Sequence, residues 1–251
     1  MKAVVLAGGK GKRIGSEKEG LPKALRLVNG KPMIDYVLKE LSFCDEIVIV
    51  VGYKKDLVFE HVGTKYSYAV QEEQLGTGHA VKCASEFFED YDGPVLVTFG
   101  DMPLLTKKTY KKVLKAYNDN IKKNDPAACV MLSVMLDDVY LPYGRVIRDE
   151  NKGYSRIVED PDCDEQQKKI KEVFFGVMLF NGIKLKNILN RMTNNNAQNE
   201  YYLTDLPTLL KKEGEKVVIC MINEQDEVYG VNTMEDLDRV ESIMRKRGAN
   251  D

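Results

Sequence analysis

Apolar residues gather in short, almost unbroken runs at positions 3–6, 47–51 and 95–99, with strand-forming stretches also at 66–70 and 128–134. Continuous apolarity over so few residues is what a strand covered on both faces requires. Between these runs, residues 33–41, 79–88 and 107–117 place apolar side chains at helical spacing, and Pro32 suits a first helical turn. Strand and helix in alternation predict an α/β fold around a mostly parallel sheet.

The pattern changes after about residue 136. Residues 144–148, 154–158, 173–180 and 217–221 read as strands with less regular helices between them. The last helix, 234–247, carries Leu237, Val240 and Met244 on one stripe, which is core packing. We read this half as a continuation of the same domain with a covering lobe, so that residues 1–251 form one unit. The charged stretch 160–171 is expected to be an exposed, mobile connection, and 194–196 is a short low-complexity spot.

Charge is nearly balanced, with 37 basic and 39 acidic residues among 251 and a net charge of −2. No global attraction to nucleic acid or to an anionic membrane follows, so any phosphate binding must be local. The five cysteines are scattered, without a C-x-x-C pair, as expected of reduced thiols in a cytoplasmic protein. No run approaches the roughly 20 apolar residues of a membrane span, and the opening run is too short for a signal peptide.

Candidate chemistry begins where the first strand ends. Leu6-Ala7-Gly8-Gly9-Lys10-Gly11-Lys12-Arg13 is a glycine-rich loop with three cations. Its backbone N–H groups can form an anion nest, although an ordinary strand-to-loop turn looks the same. It is not a Walker A loop, because Arg13 stands where Ser or Thr is needed, and Ile14 does not suit a dinucleotide fingerprint. Lys23, beside Pro22, can reach phosphates from a rigid turn or be a surface lysine. In Gln71-Glu72-Glu73-Gln74-Leu75-Gly76-Thr77-Gly78-His79 a strand end meets a Gly-Thr-Gly turn. A glutamine amide there can match a base edge, and the turn can equally be a plain helix entry, with His79 structural. Asp101, delivered by a buried strand, is placed to hold Mg²⁺; Thr106 is the better cap for the following helix. Asn232, before the last helix, is a neutral metal ligand or a cap.

These segments together resemble the nucleoside-diphosphate-sugar pyrophosphorylases, and within them most closely the uridylyltransferase domains that activate N-acetylglucosamine 1-phosphate. The resemblance runs from Lys2 to about Leu237; residues 71–80, 100–105 and 195–205 are its most specific parts. It implies a Rossmann-like three-layer fold with a mixed, mostly parallel sheet, a nucleotide-binding part over about 1–136 and a sugar-binding lobe over about 137–251. It further implies that Leu6, Ala7 and Gly8 line the nucleotide pocket, with Gly11 and Arg13 at the triphosphate and Lys23 on the phosphates. Gln71 reads the uracil edge with Gly76 and Thr77, and Asp101 and Asn232 share Mg²⁺. Gly144, Glu159, Tyr202 and Thr204 match sugar-side positions. Two positions depart from the family: Lys12 replaces a threonine, and Phe174 stands where an asparagine helps hold the amino sugar.

The implied reaction joins UTP and a sugar 1-phosphate, N-acetylglucosamine 1-phosphate first, into UDP-sugar and pyrophosphate. Other sugars, a cytidylyltransferase for a polyol phosphate and a non-catalytic nucleotide-sugar-binding regulator are the alternatives. A chain ending at Asp251 leaves no room for the β-helix that carries acetyl transfer and trimerisation in the family. Acetyl transfer is therefore not expected, and a monomer or homodimer is.

Overall fold

The computed structural model describes residues 1–136 and 142–248. Its elements in chain order are β1 (Lys2–Leu6), the small hairpin β2 (Leu27–Val28) and β3 (Lys31–Pro32), α1 (Met33–Glu40), β4 (Glu46–Val51), α2 (Lys55–Val62), β5 (Ser67–Val70), α3 (Thr77–Cys83), β6 (Pro94–Phe99) and α4 (Lys107–Lys122). There follow β7 (Cys129–Met135), β8 (Arg145–Arg148), β9 (Tyr154–Val158), β10 (Glu172–Asn181), α5 (Gly182–Leu189), α6 (Asp205–Lys212), β11 (Val217–Ile222) and α7 (Met234–Gly248).

Alternation along the strands decides the layering. Val5, Ile47, Ile49 and Leu96 face one side of the sheet, where they meet Ile34 and Val37 of α1 and Tyr110 and Val113 of α4. Their neighbours Val4, Val48, Val50 and Val97 face the other, against Val81 of α3, Leu185 of α5 and Leu206 of α6. Burial of both faces explains why these strands read as unbroken apolar runs. A third cluster, with Ile14, Met33, Leu104, Val231 and Leu237, seats α7. The result is the expected three-layer α/β arrangement around a mixed sheet.

The sheet runs β11-β7-β10-β6-β1-β4-β5, with β8 and β9 branching from β10. β6, β1, β4 and β5 are parallel; β10 is antiparallel to both β6 and β7. After β1 the chain builds outward through β4 and β5, then returns to place β6 on β1's other side. That reversal opens a crevice at the carboxyl ends of β1 and β6, where open α/β sheets bind ligands. β10 brings the second half of the chain to the crevice. Its register against β7 shifts between Phe174 and Met178, and Gly176 lies there at φ 76°. A Cβ on Gly176 would come within 2.8 Å of the Phe99 ring, so only glycine lets this bulge pack against the end of β6.

Several boundaries differ from the sequence expectation. The helix expected over 79–88 stops at Cys83, and a separate 3₁₀ turn over Ser85–Phe88 rephases the chain so that Phe88 is buried. α4 runs five residues past the expected 117, because its last turn is polar apart from Ile121, which is exposed and off the buried stripe. α2 was not anticipated: of its residues only Val58 is buried. The segment 160–171 is largely exposed, as expected, but Cys163 is buried and Asp160 pairs with the buried Arg145 at 3.2 Å. No helix among the described residues is long and apolar enough to cross a membrane.

Candidate active site

Two cavities open side by side on the carboxyl edge of the sheet. The first, about 330 Å³, is walled by Leu6, Ala7 and Gly8 at the end of β1, by Gln71, Gly76 and Thr77, and by Lys23. The second, about 220 Å³, is walled by Gly144, Glu159, Phe174, Tyr202 and Thr204. Asp101 and Asn232 line both.

The first cavity is made largely of backbone. Ala7 N–H bonds the Val50 carbonyl at 2.8 Å, which holds the loop against β4. Gly8 is closely enclosed: a Cβ would lie 3.1 Å from Gln71 Oε1 and 3.3 Å from the Gly52 nitrogen. Opposite, Gly76 opens α3 and is closed over by the 200–203 segment. Tyr201 N–H bonds the Leu75 carbonyl at 2.8 Å, Gly78 N–H bonds the Tyr201 carbonyl at 2.7 Å, and Thr77 Oγ1 accepts from Leu203 N–H at 2.9 Å. The glutamine-rich and asparagine-rich segments, far apart in sequence, thus form one wall.

Where the cavities meet, the cations and oxygens converge. Lys23 follows Pro22 on a rigid 3₁₀ turn. Its ammonium donates to Asp101 Oδ2 in a partly buried ion pair, and to Asn232 Oδ1 at 2.8 Å. Arg13 donates to the same Asn232 oxygen at 3.1 Å. Neither acidic nor amide group is spent on capping. Thr106 Oγ1 accepts from Thr109 N–H at the start of α4. Thr233 and Asp236 cap α7 reciprocally, at 3.1 and 2.9 Å, leaving the Asn232 amide to the site. Val231 N–H bonds the Asp101 carbonyl at 3.0 Å, which ties the Asn232 loop to the end of β6.

In the second cavity Thr204 Oγ1 donates to Glu159 Oε1 at 2.7 Å. Burial pushes the Glu159 carboxyl above its ordinary value; the Thr204 bond opposes that, and Asp205, Asp162 and Asp160 add to it. The Tyr202 hydroxyl donates to Gln198 Oε1 at 3.0 Å. Phe174, 6 % exposed, gives the wall an apolar face. Phe174 N–H bonds the Gly144 carbonyl at 2.9 Å, so the two are held as neighbours.

Most of the expected site residues therefore line one of the two cavities. Gly11 lines neither: at φ 66° it packs behind the loop, where a Cβ would sit 2.9 Å from Ser16 Cβ. Arg13 lines the second cavity where it bonds Asn232 at the junction, and Lys12 is exposed. Glu200, which lines both cavities, and Tyr143, whose hydroxyl accepts from Gly230 N–H at 2.9 Å, were not singled out from the sequence. Glu200 belongs to the asparagine-rich motif and was within reach; nothing local marks Tyr143.

Residues 3–136 match the model of the MobA-like NTP transferase domain family. Over 98 % of its length the chain is 40 % identical to the bifunctional protein GlmU of Clostridium beijerinckii, 41 % to that of Clostridium novyi and, over 98 % again, 39 % to that of Staphylococcus carnosus. The chain spans about half the length of these curated relatives, 52 % of each.

Proposed function

Because the chain belongs to the MobA-like NTP transferase family and is a nucleotidyltransferase, we propose that it transfers the uridylyl group of UTP to a sugar 1-phosphate, releasing pyrophosphate and forming a UDP-sugar. N-acetylglucosamine 1-phosphate is the first candidate sugar. The observation that carries this reading is the junction itself: two cavities that share Asp101 and Asn232, with Lys23 between those side chains. A nucleotide in the first cavity and a phosphosugar in the second would meet at that point.

The sugar phosphate is its own nucleophile. Its oxygen attacks the α-phosphorus of UTP, the bond to the β-phosphate oxygen breaks, and pyrophosphate leaves with that electron pair. A phosphate monoester is already anionic near neutral pH, so no general base is needed. The protein's part is positioning and charge neutralisation. Leu6, Ala7, Gly8, Gln71, Gly76 and Thr77 hold the base and ribose side. Lys23 and Arg13 neutralise phosphate oxygens. Gly144, Glu159, Phe174, Tyr202 and Thr204 hold the sugar.

The donor set at the junction suits a hard cation. A carboxylate oxygen of Asp101 and an amide oxygen of Asn232 already converge on one positive group, the Lys23 ammonium. Those two residues would hold Mg²⁺, with phosphates and water completing its shell. When bound, the ion supplies charge stabilisation to the transferring phosphoryl oxygens.

Pyrophosphate release measured over a grid of nucleoside triphosphates and sugar 1-phosphates tests the proposal. Turnover confined to UTP with one sugar phosphate is the expected result. Release with CTP alone would replace the uridylyl reading. UTP binding without release under any pairing would favour a regulator.

A further inference from the structure

Gln71 is buried in the wall of the first cavity, 5 % exposed. Its amide nitrogen donates to the Gly76 carbonyl at 3.0 Å and faces His79 Nδ1 at 3.1 Å. A backbone carbonyl can only accept, so the nitrogen end of the amide is fixed on that side. The second amide hydrogen then points at Nδ1, which must be the acceptor, and the imidazole proton sits on Nε2. The Glu73 backbone beside the ring favours its protonated form. Both amide hydrogens of Gln71 are therefore committed within the protein. What remains for a ligand is the carbonyl oxygen, Oε1, turned toward Gly8.

We propose that His79 is the residue that sets base choice: by accepting from Gln71 it locks the amide so that only an acceptor faces the base, which selects uracil over cytosine. Uracil carries N–H at ring position 3, and cytosine carries a lone pair there. Oε1 satisfies the first and repels the second. The inference rests on reading the first cavity as the nucleotide site. His79 acts through Gln71 and is a positioning residue.

The lock holds only while the imidazole is neutral, because a proton on Nδ1 would confront the amide N–H. The groups facing the ring are Gln71, Glu73, Lys82, Cys83 (Sγ 3.9 Å from Nε2) and Tyr201. Burial and the Lys82 charge lower the His79 pKa and outweigh Glu73, so the neutral ring prevails at neutral pH. UTP should accordingly bind more weakly as pH falls through the His79 titration.

Calorimetric dissociation constants for UTP and CTP, from about pH 5 to 8, test this in the wild type, His79→Leu and His79→Asn. In the His79→Asn variant the new amide oxygen can accept in place of Nδ1 and cannot be protonated. His79→Leu should lose about tenfold in UTP affinity, the value of one buried hydrogen bond network member, and its UTP-to-CTP ratio should narrow equally. His79→Asn should keep the UTP preference and lose the acid-side step; comparison with the wild type removes the triphosphate's own titration. A His79→Leu protein with unaltered UTP affinity and ratio overturns the inference, as does equal weakening of the two variants. A wild type that binds no pyrimidine triphosphate overturns the functional reading and this inference together. UTP binding by the wild type beside an indifferent His79→Leu overturns the inference alone.

Discussion

The two cavities are built on different principles. The first is formed by loops that continue parallel strands, and much of its wall is backbone: Ala7, Gly8, Gly76 and the peptide hydrogen bonds that pin them. The second is assembled from side chains on antiparallel strands and loops that lie far apart in sequence, at 144, 159, 174, 202 and 204. The family model ends at residue 136, and these sugar-side candidates all lie beyond it. Backbone contacts persist when side chains change, whereas side-chain walls can be altered one residue at a time. On the proposed reading, transfer chemistry belongs to the first half of the chain, and choice of acceptor to the second.

The largest effects should come at the junction, where neither half is independent. Asp101→Asn and Lys23→Ala should each lower kcat by about a hundredfold or more while the protein remains folded. Steady-state kinetics with a circular-dichroism check decide this, and near-wild-type turnover removes the residue from the mechanism.

Next comes Glu159→Gln, which should raise KM for the sugar phosphate about tenfold and leave KM for UTP unchanged. An equal rise in both would break the division between the cavities. The same variant reports on pH. Burial raises the Glu159 pKa above 4.5, so the folded protein holds this proton more tightly than the unfolded chain. Stability from this group is full below the unfolded value and is lost as pH rises through the folded value. Glu159→Gln should therefore melt higher than the wild type on the alkaline side of that window, a gain of stability bought with function. Equal melting temperatures across the window would remove the buried charge as a source of strain.

Phe174→Asn should shift the ratio of kcat/KM between N-acetylated and plain sugar phosphates several-fold, or about 1 kcal/mol, toward the acetylated one. An unchanged ratio would mean that this wall does not touch the acetamido position. The smallest effect is expected from Thr204→Val, which removes one hydrogen bond to Glu159 and should cost about 0.5 kcal/mol in sugar-phosphate binding. Competition against product would measure it, and no change would place Glu159's support elsewhere.

How legible each region was follows from the same contrast. Strands buried on both faces announce themselves, and β1, β4 and β6 stand within a residue of the expected positions. The loops that follow them carry their chemistry in contiguous residues, so Leu6–Gly8 and Gln71–Thr77 were visible as motifs. α2 was not, because a helix with one buried residue has no stripe to read. The Tyr143 bond to Gly230, which steadies the Asn232 loop, joins residues 87 apart and has no local pattern. The spare amide of Asn232 was likewise ambiguous until Thr233 and Asp236 were seen to cap α7 themselves.

With its ammonium bonded to both Asp101 and Asn232, Lys23 already balances the carboxylate's charge. A divalent ion held by those oxygens would have to displace the chain's own cation, and a bound triphosphate would offer that cation a new partner. On the proposed reading, metal and nucleotide would arrive together as one complex. The resting protein should then withhold no divalent ions from the surrounding pool, and a chelator should leave its melting temperature where it was.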